Sequence, residues 1–170
     1  MDLNRTLLLQ ILHDMEDFAR LKGLTCSPIY LLGGSGCIVG GYINRATTDF
    51  DIMDMNYPDS AGRLFRMLGE TDYLDYYLTT VAYDFRDRAI KLGEFQYLDI
   101  YVLSKEDIIV SKIGRYSNKD VEDIKSLLSD GIKSFVNRLI ENVLKREDIS
   151  SRVKGQFLKN VEVFRREFNV

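Results

Sequence analysis

Ser104 divides this chain into two kinds of periodicity, and that division limits the fold more than any other feature. After it, apolar residues recur only at helical spacing, which predicts helices over residues 105–116, 119–128, 133–146 and 151–168. Ser104-x-x-Asp107 and Ser117-x-x-Asp120 have the spacing of N-terminal capping sequences. Before it, apolar runs of strand length are broken by glycines and turns. "PIYLL" follows Pro28, a residue that a strand tolerates at its start. "DFDIMDM" and "EFQYLDIYVL" complete the set of strands. In the last, Leu98, Ile100 and Val102 fill one face while Tyr97, Asp99 and Tyr101 take the other. Before the strands lies an N-terminal helix built on Leu8, Ile11, Leu12, Met15, Phe18 and Ala19 and stopped by Gly23, and between them fall a short helix over 37–43 and a helix in "PDSAGRLFRMLGE". Residues 71–91 settle on no single period. Strands followed by a run of helices predict an α+β fold: a small mixed sheet flanked by helices, then a C-terminal helical bundle. The expected organisation is a core over 1–103 and a helical region over 104–170 packed on it as one unit.

Composition narrows the class of function. With 45% apolar and 29% charged residues, the 170-residue chain has the make-up of a water-soluble globular protein. No apolar run approaches the roughly 20 residues of a membrane span, so no membrane partner is expected. The first twenty residues carry acids through their apolar stretch and lack a small-residue cleavage site, unlike a signal peptide. Cys26 and Cys37 are too few for a disulfide framework and point to reduced thiols in a cytoplasmic protein. Charge is uneven: residues 131–170 hold nine Lys and Arg against five Asp and Glu, in a chain of net charge −3. The basic end fits either the approach of an anionic partner or plain solvated helix faces.

The chemistry concentrates in "LLGGSGCIVGGYINRATTDFDIMD". Asp49 and Asp51, two apart on a strand, project side by side while Phe50 and Ile52 turn inward. Two adjacent carboxylates need solvent or a cation, and a hard cation such as Mg²⁺ takes one or two of them together with substrate phosphates. "GGSG" sits where glycine allows close backbone approach to a phosphate, and Ser35 adds a hydroxyl; the alternative is a tight turn and nothing more. Asp99 is an acid in an otherwise apolar and aromatic strand, a costly placement unless it is solvated, paired or metal-bound. If its strand neighbours that of Asp49 and Asp51, three carboxylates converge, enough for two Mg²⁺ ions in phosphoryl transfer.

Gly33-Gly34-Ser35, a spacer of thirteen residues, and Asp49-Phe50-Asp51-Ile52 together resemble the signature of the DNA polymerase beta-like nucleotidyltransferase superfamily. The later "LSKEDIIVSKIGRYSNKDVEDI" is most similar to the branch holding AbiEii-type and MenT-type toxins and related bacterial proteins. The resemblance covers residues 28–130. It implies that Asp49, Asp51 and Asp99 ligate Mg²⁺ (two ions, with Mn²⁺ as a substitute), and that Lys112 and the Asp120-x-x-Asp123 segment line the nucleotide site. Gly33, Gly34 and Ser35 would face the phosphates. From their positions alone, Arg45 and Thr48, just before the acid pair, are candidate phosphate contacts, and Arg115, three residues beyond Lys112, is within reach of the same area; either arginine is otherwise simply solvated. Lys112 shares a helical face with Ile108 and Ile109, where its ammonium needs an anion; that anion is a ligand at the rim or Asp123.

The implied activity is Mg²⁺-dependent transfer of a nucleoside monophosphate from an NTP to a hydroxyl of RNA, a tRNA end or a protein. A toxin or phage-defence role and a cognate antitoxin partner are implied with it. Two other readings compete: a catalytically silent fold that binds a partner, and an enzyme that modifies a small molecule.

Overall fold

The computed structural model describes every residue from Met1 to Val170. Eight α-helices and a five-stranded mixed sheet give the expected α+β class. The chain divides into two units: Met1–Leu74 with Ala89–Leu103, and Asp75–Arg88 with Ser104–Val170. Residues 75–88 thus group with the C-terminal helices, although they lie within the segment read from sequence as core.

In the first unit, helix α1 (Arg5–Lys22) begins where the Asn4 side chain accepts the Leu7 N–H, and ends at Gly23 in the left-handed region, φ 62°. Strand β1 (Ile29–Leu31) leads into helix α2 (Gly33–Val39), and strand β2 (Phe50–Asp54) follows. "PDSAGRLFRMLGE" forms one turn of helix α3 (Gly62–Phe65) between two 3-10 turns, not a continuous helix. Strands β3 (Thr71–Asp75), β4 (Ile90–Lys91) and β5 (Ile100–Val102) complete the sheet, in the order β3-β2-β1-β5-β4. β1 is antiparallel to β2 and parallel to β5. Ile29, Leu31, Phe50, Ile52, Ile100 and Val102 are wholly buried, as are Leu8, Leu12 and Met15 of α1. Each such side chain contributes about 1.5–3 kcal/mol through burial.

The strand expected across residues 94–103 is shorter than its alternation suggests. Glu16, on α1 and 4% exposed, accepts the N–H groups of Tyr97 at 2.8 Å and Leu98 at 2.9 Å. Those amides bond a carboxylate rather than a neighbouring strand, so regular pairing starts only at Ile100. Burial alone would raise the Glu16 pKa, but the N–H groups of Leu98, Tyr97 and Gln96 outweigh it and hold the carboxyl below its ordinary range.

The second unit is helical. Helix α5 (Lys105–Arg115) packs on α6 (Asn118–Leu127), α7 (Lys133–Leu144) and α8 (Ser151–Phe168). Both expected caps form: Ser104 accepts the Asp107 N–H, and Ser117 with Asp120 makes a reciprocal capping box. Helix α4 (Phe85–Arg88) and the chain before it belong here through Arg146, whose side chain is wholly buried. Its guanidinium donates to the carbonyls of Tyr76, Thr79 and Val81 and to the Asp148 carboxylate. It also lies over the Tyr76 ring, 4.2 Å from the centroid. Arg88 is held between Asp107 and Asp84.

Candidate functional site

The site begins at the break between β1 and α2. Gly33 has φ +58°, the left-handed region that glycine adopts without cost, and a Cβ there would overlap the Asp51 carboxylate. A Cβ on Gly34 would lie 3.0 Å from Arg45 Nη2 and 3.3 Å from Thr47 Oγ1. Glycine is therefore required at 33, where the acid leaves no room, while at 34 a side chain would only crowd the guanidinium and the hydroxyl. α2 starts at these glycines, not at Cys37 as expected, so Ser35 lies in its first turn. Ser35 is buried and grips Asp51 twice: its N–H donates to Asp51 Oδ2 at 3.2 Å, and its Oγ accepts the Asp51 N–H at 2.8 Å.

Antiparallel pairing of β1 with β2 brings the acids to this turn. Leu31 stands opposite Ile52, and the Leu32 N–H donates to the Asp51 carbonyl at 3.1 Å. Asp49 lies one residue before the strand and accepts a hydrogen bond from Thr47 Oγ1 at 3.0 Å. Phe50 and Ile52 are wholly buried while Asp49 and Asp51 are part-exposed, the alternation a half-buried strand imposes. Gly33, Gly34, Ser35, Arg45, Asp49 and Asp51 thus come together. Thr48 is exposed, and its neighbour Thr47 is the residue that reaches the carboxylate. Strand spacing does not single out Thr47, which lies before β2 in irregular backbone; its bridge to Leu3 and its bond to Asp49 reveal it only in the structure.

Asp99 does not join them, which corrects the expectation of three converging acids. Parallel pairing sets Ile29 opposite Ile100, and the Ile29 N–H bonds the Asp99 carbonyl, so Asp99 lies at the level of Pro28. Asp51 lies at the level of Leu32. Four residues of β1 separate the two levels, about 13 Å at the strand rise of roughly 3.3 Å per residue. The Asp99 carboxylate is about half exposed and pairs with Lys91 at 2.6 Å. No three His, Cys, Asp or Glu side chains gather closely enough to hold a metal ion. Parity along the strand was readable; the stagger between strands was not.

In the second unit Lys112, Arg115, Asp120 and Asp123 come together as an ionic cluster between α5 and α6. The Lys112 ammonium does not extend to a rim: the residue is 5% exposed, with Asp123 at 2.8 Å and Asp120 at 3.4 Å. Arg115 donates two hydrogen bonds to Asp120, both 2.7 Å. Burial pushes the Asp120 carboxyl up, but Arg115, the Ser117 hydroxyl and amide, and Lys112 overcome it and hold the group well below the usual carboxylate range.

The donor set in the first unit fits one hard cation. It offers two carboxylates, each with one oxygen steadied by a hydrogen bond, and a carboxylate has lone pairs enough to accept that bond and still ligate. It does not furnish the third acid that a pair of ions would draw upon. No helix is long and apolar enough to cross a membrane.

A family model described as a nucleotidyltransferase of unknown function (DUF6036) matches residues 7–159 of the chain. No curated protein and no solved structure matches it.

Proposed function

The chain belongs to this nucleotidyltransferase family, and from that premise we propose that it transfers a nucleoside monophosphate from an NTP to a hydroxyl on RNA or protein. The observation that carries the proposal is the pair Asp49 and Asp51, part-exposed and each fixed by a hydrogen-bond donor beside the Gly33-Gly34-Ser35 turn. Asp49 and Asp51 would hold Mg²⁺, or Mn²⁺ in its place, and the ion would supply charge neutralisation for the NTP phosphates. The Arg45 guanidinium, which lies beside Gly34, would supply positive charge for a phosphate. Ser35 serves this site by orienting Asp51. An in-line attack by the acceptor hydroxyl on the α-phosphate would release pyrophosphate. A toxin or phage-defence role, with a cognate antitoxin, extends the same proposal.

A second reading has its own support. Because Asp99 stands away from the pair and no third acid replaces it, the fold would also suit a catalytically silent module that binds a partner. One experiment separates the two. The protein is incubated with each α-labelled NTP, Mg²⁺, and either total RNA or lysate, beside Asp51→Asn. Label on RNA or protein that is lost in Asp51→Asn establishes transfer. Absence of both transfer and Mg²⁺-dependent NTP binding rejects the enzyme and leaves the module.

A further inference from the structure

We propose that Thr47 is the positioning residue for Asp49, and that Leu3 makes it one. Thr47 is 4% exposed, yet it lies in the irregular segment between α2 and β2, where nothing regular would fix its side chain. A two-way bridge fixes it. The Leu3 N–H donates to the Thr47 carbonyl at 2.7 Å, and the Thr47 N–H donates to the Leu3 carbonyl at 3.0 Å. With the backbone pinned, the β-branched side chain has few rotamers left. The one adopted carries the hydroxyl to Asp49 Oδ1 at 3.0 Å. Gly34 leaves the hydroxyl uncrowded, since a Cβ there would lie 3.3 Å from it.

The segment just before α1 therefore reaches the acid pair through one threonine. Asp51 is oriented by Ser35 from the other side, so the two carboxylates have separate supports: one from the turn after β1, one from the start of the chain. A hydrogen bond to one oxygen fixes the plane of the carboxylate, which decides where its remaining lone pairs point. The role in metal binding rests on the reading of Asp49 as a ligand; the orientation of Asp49 does not.

The test compares wild type with Thr47→Val, which keeps the shape and loses the hydroxyl, and Thr47→Ser, which keeps the hydroxyl. The first readout is the Asp49 carboxyl ¹³C resonance without metal. It is expected to move in Thr47→Val and to return in Thr47→Ser, while the Asp51 resonance holds still in both. An unmoved Asp49 signal in Thr47→Val, or an equal displacement in Thr47→Ser, overturns the proposal. Should Thr47→Val fail to fold, the wild type decides: a slowly exchanging Thr47 hydroxyl proton correlated with the Asp49 carboxyl carbon is expected, and its absence overturns the proposal. The second readout is Mn²⁺ binding, followed by paramagnetic broadening around residues 47–51. Affinity is expected to fall about tenfold or more in Thr47→Val and to recover in Thr47→Ser. If the wild type binds no Mn²⁺, the metal reading of the site fails, while the carboxyl resonance still decides whether Thr47 orients Asp49.

Discussion

Lys112 illustrates how little a single residue type says about its role. In sequence it is a cation on an apolar helical face in want of an anion, and the structure supplies two, Asp123 and Asp120, from the next helix. Its removal leaves buried acids short of positive charge, a change that costs about 3–5 kcal/mol when one partner of a buried pair is lost. Lys112→Met is therefore expected to lower the unfolding free energy of the helical unit by that order, read as a lower urea midpoint at unchanged m-value. A midpoint equal to wild type would mean the cluster contributes nothing to holding α5 against α6. Asp49 and Asp51 lie at the opposite extreme: part-exposed like-charged neighbours, steadied by hydrogen bonds from Thr47 and Ser35.

Elements were legible where one period ran unopposed. α1, β1, β2 and the four C-terminal helices fall close to where their spacing predicts, because their apolar faces meet a core; α1, α5, α6 and α8 also carry serine, asparagine or glycine caps, and α7 does without one. Legibility failed where a distant side chain captured the backbone. Glu16 takes the Tyr97 and Leu98 amides out of the sheet, and the alternation in "EFQYLDIYVL" cannot reveal that. Arg146 gathers the carbonyls of Tyr76, Thr79 and Val81, the part of the chain whose periodicity was mixed. Within the site, the turn and the acid pair could be read from spacing, whereas the level of Asp99 depended on a register that only strand pairing sets. Arg146→Met should strand those buried carbonyls, at about 1–3 kcal/mol for each acceptor left unsatisfied. Hydrogen exchange should then quicken across residues 76–83 and stay unchanged in β1 and β2; uniform quickening would contradict a local anchor.

At the scale of the whole molecule, the acids whose pKa is lowered by their partners are unevenly shared. Hydrogen bonds from Arg88 lower the Asp84 pKa and those from Arg146 lower that of Asp148; Asp120 is lowered too, and all three belong to the second unit. Glu16 is lowered in the first. A carboxyl whose folded pKa is depressed contributes stability above its unfolded value, near 4, and loses it as the pH falls towards the folded value. Acid should therefore weaken both units, the helical one more. Hydrogen exchange followed from about pH 6 down to pH 3 is expected to show α5 and α6 losing protection before α1 and β1. The reverse order would show that these ion pairs do not set the acid limit.

The chain passes from one unit to the other at Leu74, at Arg88 and again at Leu103. Asp75–Arg88 owes its shape to Arg146 and Asp107, residues encoded well downstream. A gene cut after codon 103 would yield a sheet carrying a loop whose anchors were never translated. The helical half is thus no detachable tail: a domain-swapping experiment, or a ribosome partway through synthesis, meets a protein whose early residues wait for its late ones.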